Sequence, residues 1–449
     1  MISFIRSQLG DRAITSGLIA KVVQGVAGPI SALLILVYFA PELQGYYYTF
    51  SSLLALQIFV ELGLSTAITV FAGHEWAGLT LDAAGRVTGR PESRRRLAAL
   101  VQKALRWYLI SACVLIAILI VAGLFLLGGT TTAAVKVSWV APWLALCAVS
   151  AATLALTPGW AVLLGCGQVA QVNGYRAIET VGRSLVLWTA IIGGAQLWSL
   201  VISAAFSLGF ALFFLGWIYR RFFLDLLREI DTSALAWKRE VLPLQVRYAL
   251  SWVSGYFAFS IFTPVTFYFL GPVAAGKMGM SWAIVSGLSG LAATWIQARA
   301  PSFAPLVAQR AFDALDRLAR QTARIAFAVA ALSTAGAVVA LLVLEAFRPD
   351  LAARLLPVSL LATFLLAEMF HQISMVQSSY LRAFKEEPFL VVSTVSGITI
   401  GGGTVLLTGL IGEAGPPISY LVGILMACVW GSWIFVKNWR KWTFPRENI

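Results

Sequence analysis

The chain has 449 residues, 59% of them hydrophobic and only 12% charged, with a mean hydropathy of +0.83, which excludes a soluble domain with an apolar core under a charged skin. The net charge of +13 is spread over short segments between apolar runs, a distribution that needs no nucleic acid to explain it. The composition is that of a polytopic membrane protein. Cys113, Cys147, Cys166 and Cys428 fall in or beside apolar runs without metal or disulfide spacing and read as small core residues. The first twelve residues lack an apolar run followed by a small-residue cleavage site, so no removable signal peptide is expected.

In chain order the apolar runs predict twelve crossings: helix 1 over 14–39, helix 2 over 45–72, helix 3 over 104–127, helix 4 over 138–165, helix 5 over 174–194 and helix 6 over 197–219. After a polar stretch from 220 to 245 come helix 7 over 246–270, helix 8 over 274–297, helix 9 over 322–346, helix 10 over 355–381, helix 11 over 388–411 and helix 12 over 417–436. Helix 2 opens on a Pro/Gly turn and three tyrosines of the kind found at a membrane boundary, and it carries Glu61 deep in its apolar run. An acid near the centre of a crossing costs on the order of 3 kcal/mol unless it finds a partner or water.

Basic residues are retained on the cytoplasmic side, and here they alternate from loop to loop. Arg6 and Arg12 precede helix 1, Arg86 to Lys103 follow helix 2, Arg220 to Arg239 follow helix 6, Arg310 to Arg324 follow helix 8, and Lys437 to Arg446 close the chain. Both termini are therefore expected in the cytoplasm, with the protein in the cell inner membrane. Within the basic segments, Phe222, Phe223, Leu226, Leu227 and Ile230 recur at the spacing of an interfacial helix. Asp313/Arg317 and Asp316/Arg320 are spaced for i, i+4 ion pairs.

The two halves repeat. Pro41-x-x-x-Gly45 opens helix 2 and Pro272-x-x-x-Gly276 opens helix 8, each followed by a long crossing and a basic elbow, while Pro29 and Pro264 sit in helices 1 and 7. Six crossings per half is an even number, which makes this a parallel repeat, with an N-terminal six-helix lobe over 1–237 and a C-terminal one over 238–449. Proline removes a backbone hydrogen bond and bends a helix, so the paired prolines point to a translocation path between the halves. Prolines common to any transmembrane helix are the plainer account.

The run Gln44-Gly45-Tyr46-Tyr47-Tyr48-Thr49-Phe50-Ser51-Ser52-Leu53, followed by Glu61-Leu62-Gly63-Leu64-Ser65, resembles the helix 1 to helix 2 region of the Wzx-type oligosaccharide (polysaccharide biosynthesis) flippases of the multidrug/oligosaccharide-lipid/polysaccharide superfamily. The specific match covers 41–76, and the twelve crossings, the two halves and the basic elbow are similar across the chain. The resemblance implies an all-α fold of two six-helix lobes around a central cavity lined by helices 1, 2, 7 and 8. It implies a polyprenyl-pyrophosphate-linked oligosaccharide moved from the cytoplasmic to the outer leaflet by alternating access. The implied partners are that lipid-linked oligosaccharide and the bilayer, with polysaccharide assembly machinery as a candidate and no cofactor. Peptidoglycan-precursor flippases of the superfamily typically carry additional helices, for which this length leaves no room.

A pyrophosphate crossing a low-dielectric slab needs cations, and sugars need hydroxyl, amide and aromatic partners. Lys21 and Glu61 could sit at similar depth on helices 1 and 2, with Gln24 and Gln57 on the same helices, as a substrate site or as a fixed ion pair between helices. On helix 5, Arg176, Glu179 and Arg183 have the spacing of an intrahelical charge ladder, with Arg183 also a substrate candidate. Arg247 and Arg299 flank helices 7 and 8 at the inner surface, where they could snorkel or bind substrate. Glu368 and His371 form a Glu-x-x-His step on helix 10, a candidate proton-coupling pair or a satisfied hydrogen bond. The step occurs once, and with His74 as the chain's other histidine it does not make a metal site. With no phosphate loop and no large external domain, an enzyme is not expected. The competing function is a cation-coupled drug or metabolite antiporter of the same fold.

Overall fold

The computed structural model describes residues 27–82, 85–129, 137–229, 237–242, 245, 255–384 and 388–443. They are all-α apart from one small hairpin. Seven segments among them are long and apolar enough to cross a membrane, and eight when the bent pair Pro41–Glu61 and Leu64–Trp76 is taken as one. Two of the seven are pairs of expected crossings joined end to end. Phe262–Ala308 breaks at Gly271 into helices 7 and 8, and Leu390–Lys441 breaks at Gly412 into helices 11 and 12. Helix 5, Val169–Ile192, is less apolar than the others because Arg176, Glu179 and Arg183 fall in its middle, and helix 1 is described from Ala27 to Tyr38. Helices thus stand at all twelve expected positions. The remaining bounds are helix 3 Pro91–Gly128, helix 4 Val140–Gly165, helix 6 Trp198–Phe213, helix 9 Phe312–Phe347, helix 10 Val358–Arg382, helix 11 Leu390–Ile411 and helix 12 Gly415–Thr443.

Helix 2 is not the single rod its apolar run predicts. Its first arm, helix 2a (Pro41–Glu61), includes a 3-10 turn at Ala55–Gln57, and Leu62 and Gly63 then take left-handed φ values of 48° and 68° before helix 2b (Leu64–Trp76) sets off at 49°. Gly63 carries that conformation without steric cost, and Leu62 is held in it between two helical arms. In helix 7 the effect of proline is local: the helix is interrupted at Ser260–Ile261, and Ser260 is the residue whose carbonyl Pro264 has no N–H to reach.

The chain divides into two compact units, with breaks between residues 39 and 40, 52 and 53, and 253 and 254, so helix 2a up to Ser52 belongs with the second unit and its remainder with the first. In unit 1, helix 3 begins at Pro91, well ahead of its apolar run, because Leu97, Leu100, Val101, Ala104 and Tyr108 are buried at helical spacing along its basic first half. A two-stranded antiparallel hairpin, β1 (Leu79–Leu81) and β2 (Val87–Gly89), precedes it. The short helix Arg220–Leu227 forms as its amphipathic spacing predicts and buries Phe222 and Leu226. Asp225 on it accepts from the Val87 N–H at 3.2 Å and from Arg94 at 3.0 Å, tying hairpin, short helix and helix 3 together. Arg96 lies between Glu75 at 2.7 Å and Glu240 at 2.6 Å, two charge-assisted hydrogen bonds that join the end of helix 2b and the segment at 237–240 to helix 3.

In unit 2 the expected Asp316/Arg320 ion pair does not form, nor does Asp313/Arg317, among the described residues. Instead Asp316 accepts from the Tyr380 hydroxyl at 2.7 Å and the Trp439 indole N–H at 3.0 Å, while Arg320 donates to the Asp316 backbone carbonyl. One carboxylate therefore joins helices 9, 10 and 12 over a cluster of Phe303, Leu315, Tyr380 and Leu381. Asp316→Ala leaves a buried phenol and an indole N–H without their acceptor and should cost about 2 kcal/mol, read as a lower melting temperature of the purified protein. An unchanged melting temperature would show that the acid is dispensable there.

Candidate functional site

Unit 1 holds one polar centre at the break in helix 2. Glu61 closes helix 2a and is half-buried, and the hydroxyl of fully buried Tyr108 on helix 3 lies 3.5 Å from its Oε1. Gln57, one turn earlier in the 3-10 segment, is also half-buried. A crossing interrupted beside a carboxylate is the arrangement that transporters use to expose polar backbone and a charge at membrane depth. Lys21 and Gln24, expected to face this site from helix 1, and Arg247, expected at the inner end of helix 7, lie outside the described residues.

The charged residues of helix 5 do not form the ladder that their spacing suggests. Glu179 accepts instead from the Ser207 hydroxyl on helix 6, and among the described residues no carboxylate lies within 4.0 Å of Arg176 or Arg183. The Arg176 guanidinium sits 5.9 Å from the ring centre of Trp160 on helix 4, and Arg183 is exposed two turns further along. A competing acceptor on another helix leaves no trace in the spacing within one helix. Arg299, the last residue of helix 8, lies 5.2 Å from the ring centre of its own neighbour Trp295.

Unit 2 holds the most fully satisfied intramembrane charge. Glu368 is 6% exposed. Its Oε2 accepts from the Ser289 hydroxyl at 2.6 Å and lies 3.2 Å from His371 Nδ1, and its Oε1 accepts from the Tyr420 hydroxyl. Gln372 Nε2 donates to Ser289 Oγ at 2.9 Å, extending the chain along helix 10. Phe259, Phe262, Trp282 and Phe364 wall the centre with rings, Phe259 standing 5.5 Å from the His371 ring. Helices 8, 10 and 12 thus converge on one carboxylate whose lone pairs meet hydroxyl and imidazole groups, a donor set that satisfies the ionised acid. The Glu-x-x-His step is visible in the sequence; Ser289 and Tyr420 are not, because single hydroxyls on other helices carry no pattern.

Solved structures align over nearly the whole chain. An inward-facing multidrug resistance MATE family transporter of the MOP superfamily aligns with a TM-score of 0.65 at 15% identity, over 93% of this chain and 99% of its own. The lipid II flippase MurJ in an inward closed conformation aligns at 0.63 and 12%, over 95% of this chain and 89% of its own. A MOP superfamily transporter from Pyrococcus furiosus, described as having a binding pocket of reverse polarity, aligns at 0.57 and 13%, over 96% and 95%. The chain has the fold that these solved transporters share. No protein-family model matches the chain, and no curated protein does. At these identities the likeness fixes the all-α, polytopic architecture, and the chemistry has to be argued from the residues.

Proposed function

We propose that the chain is a transporter of the MOP fold that moves a polyprenyl-pyrophosphate-linked oligosaccharide from the cytoplasmic to the outer leaflet by alternating access of two six-helix lobes, 1–237 and 238–449. It would sit in the inner membrane with both termini in the cytoplasm. The observation that carries this reading is Arg183. It lies about 14 residues after the start of helix 5 and about 9 before its end, hence roughly 21 Å and 14 Å from the two ends at ~1.5 Å per residue. Neither end is within easy snorkelling reach, and an arginine at such depth costs on the order of 3 kcal/mol by insertion scales unless water or a polar ligand meets it. Exposed and without a carboxylate partner among the described residues, it suits an anionic cargo. Lys21 serves the same phosphates in this reading, with Glu61 as its partner when no substrate is bound, and Gln24, Gln57, Arg247 and Arg299 line the path. The lipid II flippase of the same fold is a precedent for a lipid-linked cargo.

Reconstituted into vesicles, the protein should make an inner-leaflet lipid-linked oligosaccharide accessible on the opposite leaflet. Arg183→Gln should slow this at least tenfold with an unchanged melting temperature. Normal flipping by that variant would remove Arg183 from the path, and a wild type that flips nothing would remove the function.

The Glu368–His371 centre favours a second reading, a proton-coupled antiporter of drugs or metabolites. Such a carrier would move a soluble cation under an imposed proton gradient with no lipid-linked sugar present. Proton coupling through Glu368 and His371 is equally compatible with a flippase, so the cargo assay decides between the two.

A further inference from the structure

We infer that Trp160, Tyr175 and Arg176 form a docking subsite for a lipid-borne pyrophosphate at the cytoplasmic end of unit 1, from which the headgroup advances to Arg183; this rests on the flippase reading above. Three observations converge on one spot. The Tyr175 hydroxyl is buried without a hydrogen-bond partner on a side chain 7% exposed, a state that a ligand oxygen would relieve. The Tyr175 ring is fixed 4.8 Å from Trp160 and 4.4 Å from Phe210, nearly parallel to the latter, so the hydroxyl's position is set by packing. The Arg176 guanidinium lies 5.9 Å from the centre of the same Trp160 ring, exposed and with no carboxylate within 4.0 Å among the described residues, because Glu179 is engaged by Ser207.

The depth fits a headgroup. Arg176 lies about seven residues into helix 5, roughly 10 Å from its start at ~1.5 Å per residue, where the interface gives way to hydrocarbon. The cytoplasmic end is closed by the Tyr219 hydroxyl donating to Gln168 at 3.1 Å, between the loop before helix 5 and the end of helix 6. Arg176 and Arg183 are seven residues apart, which at 3.6 residues per turn places them within about 20° of one face and ~10 Å apart along the axis. A phosphodiester carries one negative charge, which one interfacial arginine satisfies. A pyrophosphate carries at least two, so it alone gains from a second guanidinium two turns deeper.

The test measures binding to the full-length protein in nanodiscs, with farnesyl pyrophosphate as probe and inorganic pyrophosphate and phosphatidylglycerol as competitors. Arg176→Gln should weaken farnesyl pyrophosphate binding at least tenfold and Tyr175→Phe about fivefold. Arg176→Lys should recover part of the loss, and melting temperatures should be unchanged. Inorganic pyrophosphate should compete, and phosphatidylglycerol at equal concentration should not. Wild-type binding by both Arg176→Gln and Tyr175→Phe would overturn the subsite, and equal displacement by phosphatidylglycerol would assign it to bulk phospholipid and overturn it too. The two claims fail separately. Unchanged binding in variants of a protein that flips lipid-linked oligosaccharide removes the subsite alone. Binding lost on Arg176→Gln in a protein that flips nothing keeps the subsite and removes the flippase.

Discussion

Replacing Glu368 with alanine should destabilise the protein by about 3 to 5 kcal/mol, because it removes the shared acceptor of a buried charged network. The fully buried Tyr420 hydroxyl, the Ser289 hydroxyl and His371 Nδ1 all converge on this carboxylate. Each buried donor left unmatched costs roughly 1–3 kcal/mol, and the ring wall of Phe259, Trp282 and Phe364 offers no replacement acceptor. Glu368→Gln keeps the shape and one carbonyl oxygen and should fold with far smaller loss. If the acid carries protons, the glutamine variant should be stable yet indifferent to an imposed pH gradient. Thermal melting of both variants beside gradient-driven transport separates the two roles. An alanine variant as stable as the wild type would mean that the network contributes nothing to the fold, and a glutamine variant that still responds to the gradient would take proton coupling away from Glu368.

The sequence spoke clearly where burial follows periodicity and weakly where partners come from elsewhere in the chain. Twelve helix positions were legible because each crossing needs a long apolar run, and the interfacial helix Arg220–Leu227 was legible from its amphipathic repeat. The break in helix 2 was not, since Leu62 and Gly63 lie inside an apolar run where one glycine is ordinary. The first half of helix 3 is masked in the sequence because Arg94, Arg95 and Arg96 dominate its charge, although Leu97, Leu100 and Val101 already show the helical repeat. Side-chain partners followed the same division. His371, three residues from Glu368, was foreseeable; Ser207 for Glu179, and Tyr380 and Trp439 for Asp316, were not, because a neighbouring helix outcompeted the i, i+4 residue. Local spacing tells which residues can meet on one helix, and tertiary packing decides which do.

Gly45→Ala should be the most damaging substitution of a single methyl group in helix 2a, lowering stability by about 2 to 5 kcal/mol. A Cβ at position 45 would stand 1.9 Å from the Pro272 carbonyl oxygen and 2.6 Å from its carbon, and backbone cannot yield by changing rotamer. The approach is reciprocal: a Cβ on Gly276 would meet the Gly45 nitrogen at 3.0 Å and the Pro41 oxygen at 3.1 Å. The two Pro-x-x-x-Gly openings noticed as a repeat therefore pack on each other within unit 2, which gives both glycines a shared reason to be there. Next to Gly45, Gln44 is 1% exposed and donates to the Gly276 carbonyl at 2.9 Å and the Arg354 carbonyl at 3.1 Å. Displacing helix 2a by even an ångström stretches both bonds in a place water does not reach, adding roughly 1–3 kcal/mol to an overpacking cost of similar size. Gly336→Ala on helix 9 is the control: nothing lies within 4 Å of its added methyl, so it should be neutral or stabilise by up to about 1 kcal/mol through helix propensity. If thermal melting finds the two variants equally stable, helix 2a does not pack on helix 8 through Gly45, and the repeat loses its structural explanation.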